Sequence, residues 1–176
     1  MELSTKSSSI NDGLYLGAIL SVITVIIYAV SLDLFTKWWL GIILFVIVVA
    51  YGVYSAIKSR RILNGFISFK QAFGSYFITT AIGTLIATIV GIAIFTFIDP
   101  DAATYLNEEI LIITKQTMER FGMPQEAMQA ALDEAAKKDN FSLGMQSQAF
   151  VFRLAFYAVV GLIVALIVKK TNNKEA

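Results

Sequence analysis

The sequence has no cysteine and no histidine. Disulfide staples, thiol nucleophiles, Ser–His–Asp triads, zinc sites and haem ligation by His or Cys are therefore excluded. Any chemistry would have to rest on Asp, Glu, Lys, Arg, Tyr or Ser. The expectation is a protein that is not an enzyme, with no cofactor, no metal and no catalytic residue. Charge is scarce too: 15% of the 176 residues are charged, against about a quarter in a soluble domain. Apolar residues make up 57% and the mean hydropathy is +0.70, which places the chain in the membrane class. The net charge of +1 says little by itself, because the charges are segregated along the chain. Nothing suggests nucleic acid as a partner.

What is present is a set of long apolar runs. Residues 1 to 12 are polar and Ser-rich and read as a disordered or interfacial tail. Leu14 to Leu32 carries no charge and is long enough to cross a ~30 Å hydrocarbon core. It exceeds the apolar core of a signal peptide and is expected to be retained. The short polar connection Asp33 to Lys37 forces the next span to run antiparallel beside the first. Trp38 and Trp39 suit an aromatic belt, and the second span runs to about Ile57. The cationic cluster Lys58-Ser59-Arg60-Arg61 follows, and the positive-inside rule assigns it to the cytoplasm.

Gly65 marks a turn, and Ser68 with Gln71 three residues later matches a capping box, so a helix is predicted to start near Phe69. From Gln71 to Ile98 there is no charge. A helix from 69 to 98 would be about 45 Å long, more than the core needs, so it tilts, bends at Gly74 or Gly83, or begins in the interface. Gly83, Ala87 and Gly91 recur at i, i+4, i+8 and form a small-residue packing face. Its partner is left open among the second span, the fourth span and a second copy of the chain.

The two prolines both fall where a helix is expected to begin. Asp99 is a good N-cap and Pro100 suits the first helical position. An amphipathic stripe runs from Leu106 through Ile110 and Ile113 to Phe121, and Gly122 is a natural stop. Pro124 opens a second helix to Lys138. Residues 99–148 thus read as an extramembrane helical hairpin. It holds four basic and nine acidic residues, a net charge of −5. Ala149 to Val168 is the last span, followed by Lys169, Lys170 and Lys174. The fold class is all-α: one polytopic membrane domain over 1–176, with spans at about 14–32, 38–57, 71–98 and 149–168. Both basic clusters fall on one side of four crossings and the acidic hairpin on the other. That places both termini in the cytoplasm.

The stretch Gly65-Phe66-Ile67-Ser68-Phe69-Lys70-Gln71-Ala72-Phe73 carries a resemblance. With Tyr51-Gly52 ahead of the basic cluster and Asp99-Pro100 closing the third span, the chain resembles a family of small bacterial four-helix membrane proteins catalogued as domain of unknown function 4199. The resemblance implies a four-span fold in a bacterial cytoplasmic membrane. It implies no activity and carries over no functional residues.

Among individual residues, Arg153 stands out, since a charge about one turn inside a span is costly and seeks a partner. Three roles are open to it: a structural ion pair with Asp99 or Asp101, snorkelling to the surface, or ligand binding. Lys58, Arg60, Arg61 and Lys70 are candidate contacts for anionic lipid headgroups, or topology determinants and no more. Thr79, Thr80, Thr84 and Thr88 either line a polar path or bond their own helix backbone or a neighbour. The favoured reading is a non-catalytic membrane protein that docks a partner or stabilises an assembly. Its expected partners are membrane lipids, a protein on the acidic hairpin, and a second copy of the chain. The alternative is a subunit of an oligomeric small-solute transporter or channel.

Overall fold

The computed structural model describes residues 2–170. Helix α1 spans Glu2–Val30 and ends in a short 3-10 turn, Leu32–Thr36. Helix α2 covers Trp38–Ile62. Helix α3 covers Phe69–Ile92 and continues as a π-helical segment, Ala93–Ile98. Helices α4 (Pro100–Arg120) and α5 (Gln125–Ala136) form a hairpin, and α6 spans Leu143–Val168. Among the described residues, four helices are long and apolar enough to cross a bilayer: Leu3–Val30, Trp38–Ile62, Phe69–Ile98 and Leu143–Val168. The chain is an all-α, multi-pass membrane protein.

The local signals explain most helix ends. Ser68 Oγ accepts from the Gln71 N–H at 3.3 Å, while the Gln71 side chain accepts from the Ser68 N–H at 3.1 Å. This reciprocal pair is the capping box expected for α3. Asp99 accepts from the Ala102 N–H at 3.0 Å and caps α4, with Pro100 in the first turn. Asn64 and Gly65 take the left-handed conformation (φ 57° and 89°) and turn the chain between α2 and α3. Gly122 (φ 68°) turns it between α4 and α5.

Four expectations need correction. The last span begins at Leu143, within the expected 99–148 hairpin, and not at Ala149, which sets Arg153 ten residues into its helix. Residues 2 to 12 are not a disordered tail but the first turns of α1. Thr5, Ser9 and Asp12 are buried on the same face as Leu16, Leu20 and Ile27, so one helical stripe continues from polar to apolar residues. Helix α2 likewise runs through the basic cluster to Ile62 instead of stopping at Ile57. The departure of α3 from regular geometry falls at Ala93–Ile98, where the helix widens, and not at Gly74 or Gly83.

Helix α3 packs against α1, α2 and α6, most extensively against α1. Glycines permit the closest approaches. A Cβ on Gly83 would lie 2.6 Å from the Leu16 side chain, and one on Gly17 would lie 2.7 Å from Ile86. The Tyr76 ring lies between α2 and α6, where a Cβ on Gly52 would come within 2.6 Å of it and one on Gly161 within 2.7 Å. Tyr76, Ala56, Ala72 and Ala165 form the fully buried centre of the cluster at this end of the bundle. The end is closed by a backbone bridge: Ile67 N–H donates to the Lys170 carbonyl at 3.0 Å, and Lys170 N–H returns to the Ile67 carbonyl at 2.9 Å.

Candidate functional site

Three regions hold the polar and charged side chains: the basic end, the hairpin, and the space between the spans near the hairpin.

At the basic end, Lys58 Nζ meets Asp12 Oδ1 at 2.6 Å, the one ion pair among the described residues. The Asp12 side chain is 4% exposed and that of Lys58 36%, so the pair reaches from the bundle interior to its edge. The second carboxylate oxygen, Asp12 Oδ2, is buried with no hydrogen-bond partner among the described residues. One turn away lies a layer of hydroxyls. Thr79 Oγ1 is 2.8 Å from Ser55 Oγ and 3.0 Å from the Ser9 carbonyl, and Ser75 Oγ donates to Ser59 Oγ at 2.8 Å. Each of these groups sits on a helix face that sequence periodicity alone would bury. Among the headgroup candidates, Lys58 is thus held by Asp12, and Arg60 reaches the Val168 carbonyl at 3.4 Å. The side chains of Arg61 and Lys70 are exposed and make no hydrogen bond or ion pair among the described residues. Lys174 lies outside the described residues.

Arg153 does not pair with Asp99 or Asp101. No carboxylate oxygen lies within 4.0 Å of it among the described residues. Asp99 is taken instead by the Tyr28 hydroxyl, which donates to Oδ2 at 2.8 Å, and by the α4 cap. The Ala102 N–H first, then the Tyr28 hydroxyl, hold the Asp99 carboxyl below the usual carboxylate range. Asp101 is exposed in the first turn of α4. A second tyrosine ties the 3-10 turn to the same helix: Tyr105 donates to Asp33 at 2.5 Å, which pushes its hydroxyl up to about 12.

Arg153 lines a cavity of about 390 Å³ between all four spans. Leu20, Leu44, Phe45, Val48 and Phe95 supply apolar walls, and Thr84, Thr88, Gln146 and Tyr157 supply polar atoms. The proposed small-residue face does not act as one surface. Gly83 receives Leu16 of the first span, and Ala87 packs beside Leu16 and Leu20. A Cβ on Gly91 would meet nothing within 4 Å, and Gly91 lines the cavity. Of the threonine column, Thr79 bonds its neighbours on α1 and α2, whereas the others bond their own helix: Thr80 donates to the Tyr76 carbonyl at 3.1 Å, Thr84 to that of Thr80 at 2.7 Å and Thr88 to that of Thr84 at 2.8 Å.

The hairpin stands on Ala102, Ala103 and Leu106, which are buried against Ile94 and Phe95. Asn107 and Asp139 join α4 to the loop before α6 at 3.0 Å, and Asn140 donates back to Asn107 at 3.0 Å. Beyond that base, α5 packs on α4 and buries no residue. Phe121 at the tip is 84% exposed, although it occupies a place in the apolar stripe.

Residues 11–170 match the family model described as protein of unknown function (DUF4199). The chain belongs to the DUF4199 family. No curated protein and no solved structure matches it. The family match covers the motif 65–73, whose parts now have physical roles. Gly65 takes the positive φ, Ile67 makes the backbone bridge, Ser68 and Gln71 cap α3, and Ala72 is wholly buried. The motif is the corner that joins α2, α3 and the end of α6.

Sequence reasoning missed Asp12, Tyr28, Asp33 and Tyr105 as partners. The Gly13-x-x-x-Gly17 pair, a close-packing signal, was available to point at α1 as the partner of α3.

Proposed function

We propose that this DUF4199 protein is a non-catalytic protein of the bacterial cytoplasmic membrane that docks a protein partner through its acidic hairpin. The observation that carries the reading is the exposed hairpin tip. Phe121 is 84% exposed at the end of a two-helix arm whose second helix has no fully buried residue. An apolar ring held there by an acidic arm has no packing role within the chain. It suits a partner with an apolar pocket in a basic surface, where charge speeds encounter and the ring supplies the buried anchor. The arm is fixed at its base by Leu106 and the Asn107–Asp139–Asn140 bonds, so it is presented in one direction.

By the positive-inside rule the basic end faces the cytoplasm and the hairpin the outside. Exposed Arg61 and Lys70 then lie at the cytoplasmic surface, where they contact anionic headgroups. A transport subunit is the weaker reading. Threonines 84 and 88 spend their protons on their own helix, and the Gly52–Tyr76–Gly161 packing closes the bundle toward the basic end.

The test is a photo-crosslinking amino acid at position 121, with position 89 as a lipid-facing control, in cells. A discrete protein adduct at 121 that disappears when Glu119 and Glu126 are both changed to Lys supports the reading. No adduct, or the same adduct from position 89, overturns it.

A further inference from the structure

We propose that the cavity between the four spans binds a single-chain amphiphile that ends in a carboxylate, with Arg153 as the anion-binding group. The spans are drawn tight at the basic end, where Gly52 and Gly161 enclose Tyr76, and α1 and α3 are still close at mid-span, where Gly83 receives Leu16. Toward the hairpin they part. Gly41 and Gly91, on α2 and α3, both line the cavity and neither has an atom within 4 Å of its would-be Cβ. The resulting space of about 390 Å³ lies at the small end of the range of about 300–1,000 Å³ for ligand pockets. That size suits one hydrocarbon chain better than two.

The chemistry of the walls selects the ligand. Thr24, Thr84 and Thr88 donate to carbonyls one turn back, at 2.9, 2.7 and 2.8 Å, so their protons are spent. The remaining wall is largely Leu, Val and Phe. Arg153 is the one charged residue lining the cavity, it is exposed on its own account, and no acid pairs with it among the described residues. It therefore stands where the cavity meets the surface. An unpaired guanidinium at the edge of an apolar cavity presents two parallel N–H groups to a planar anion, the geometry a carboxylate fills. A phosphate monoester carries nearly two charges and would leave one without a cation. Above the cavity, Phe95 meets Phe35 and Phe141 with ring centroids 5.4 and 5.0 Å apart, and these three rings line its wall. Phe95 belongs to the π-helical turn, a distortion found often at functional sites.

The experiment uses the full chain in nanodiscs of zwitterionic lipid and a decanoate probe bearing a photoreactive diazirine. Label is expected to map to the Gly41–Val48 and Thr84–Gly91 segments and to be displaced by decanoate but not by decanol. Arg153→Gln should lower labelling roughly tenfold or more, as loss of a charge-assisted bidentate contact does. Arg153→Lys should retain part of it. Gly91→Leu, which fills open space, should abolish labelling while leaving the melting temperature unchanged. If Gly91→Leu fails to fold, Gly41→Leu tests the same point from the opposite wall. Labelling spread over lipid-facing positions such as Ile89 and Ile163, equal displacement by decanol, or full labelling of Arg153→Gln would overturn the proposal. Stronger displacement by decyl phosphate than by decanoate would overturn the carboxylate assignment.

Discussion

A Cβ added at Gly52 would meet the Tyr76 ring at 2.6 Å, and Tyr76 cannot retreat because Gly161 holds its other face. Gly52→Ala should therefore destabilise the bundle by about 1–3 kcal/mol, the usual cost of overpacking. A Cβ on Gly74, in the same bundle, would meet nothing within 4 Å. Gly74→Ala should be neutral or gain at most about 1 kcal/mol from reduced backbone entropy of the unfolded chain. Unfolding in mixed micelles compares the two, and equal losses would contradict the close-packing account. Asp12 and Lys58 call for a different argument. Removing Lys58 leaves a carboxylate buried without its cation, at about 3 kcal/mol, the low end for a buried pair because Lys58 reaches the edge. The double change Asp12→Asn with Lys58→Met should recover most of that loss. A double variant as unstable as Lys58→Met alone would show that the pair is not the cause.

At the scale of helices, Asp99 joins three elements: it ends the third span, caps α4 and accepts from Tyr28 of α1. Its carboxyl is held below its ordinary value, so the native state favours the ionised form. That stability is complete above about pH 4, the ordinary carboxylate value, and is lost as pH falls through the folded value. The melting temperature of the wild type should drop on acidification below about pH 4, and Asp99→Asn should start lower and flatten the dependence. In double-mutant cycles, Asp99→Ala should be non-additive with Tyr28→Phe, which shares its hydrogen bond, and additive with Arg153→Ala, which does not touch it. Coupling with Arg153 would restore the ion pair that the distances argue against.

The hydropathy runs, the capping box at Ser68 and Gln71, the Asp99-Pro100 helix start and the stop at Gly122 were all legible, because each depends on a few neighbouring residues. Less was legible where partners are distant. Tyr28 with Asp99 and Tyr105 with Asp33 join residues about seventy positions apart, and no local signature points from one member to the other. Asp12 was hidden differently: Thr5, Ser9 and Asp12 look like a soluble tail by composition, although their spacing continues the stripe of Leu16 and Leu20. Polarity outweighed periodicity in that reading, and packing reversed the order. Arg153 drew attention by its depth, but the cavity it borders comes from the divergence of four helices, which no single segment encodes.

For the whole molecule, the arrangement of charge predicts the sidedness. In a chain without native cysteine, Arg61→Cys should react with an impermeant thiol reagent only from the cytoplasm, and Glu119→Cys only from outside. Thr80→Cys, at a wholly buried position, should react from neither. Reaction at position 80 would mean that water reaches the middle of α3, and reversed labelling of 61 and 119 would invert the orientation.

The bridge between Ile67 and Lys170 has a consequence for how the chain is made. The entry of the third span is fixed by a residue synthesised about a hundred positions later. Arg60 waits for the Val168 carbonyl, and one face of the Tyr76 ring waits for Gly161. Until α6 has been made, those groups have no partner to meet. The basic end is therefore completed only when the last helix arrives, and a chain that stops before α6 lacks the bridge, the Arg60 acceptor and one wall of the Tyr76 site.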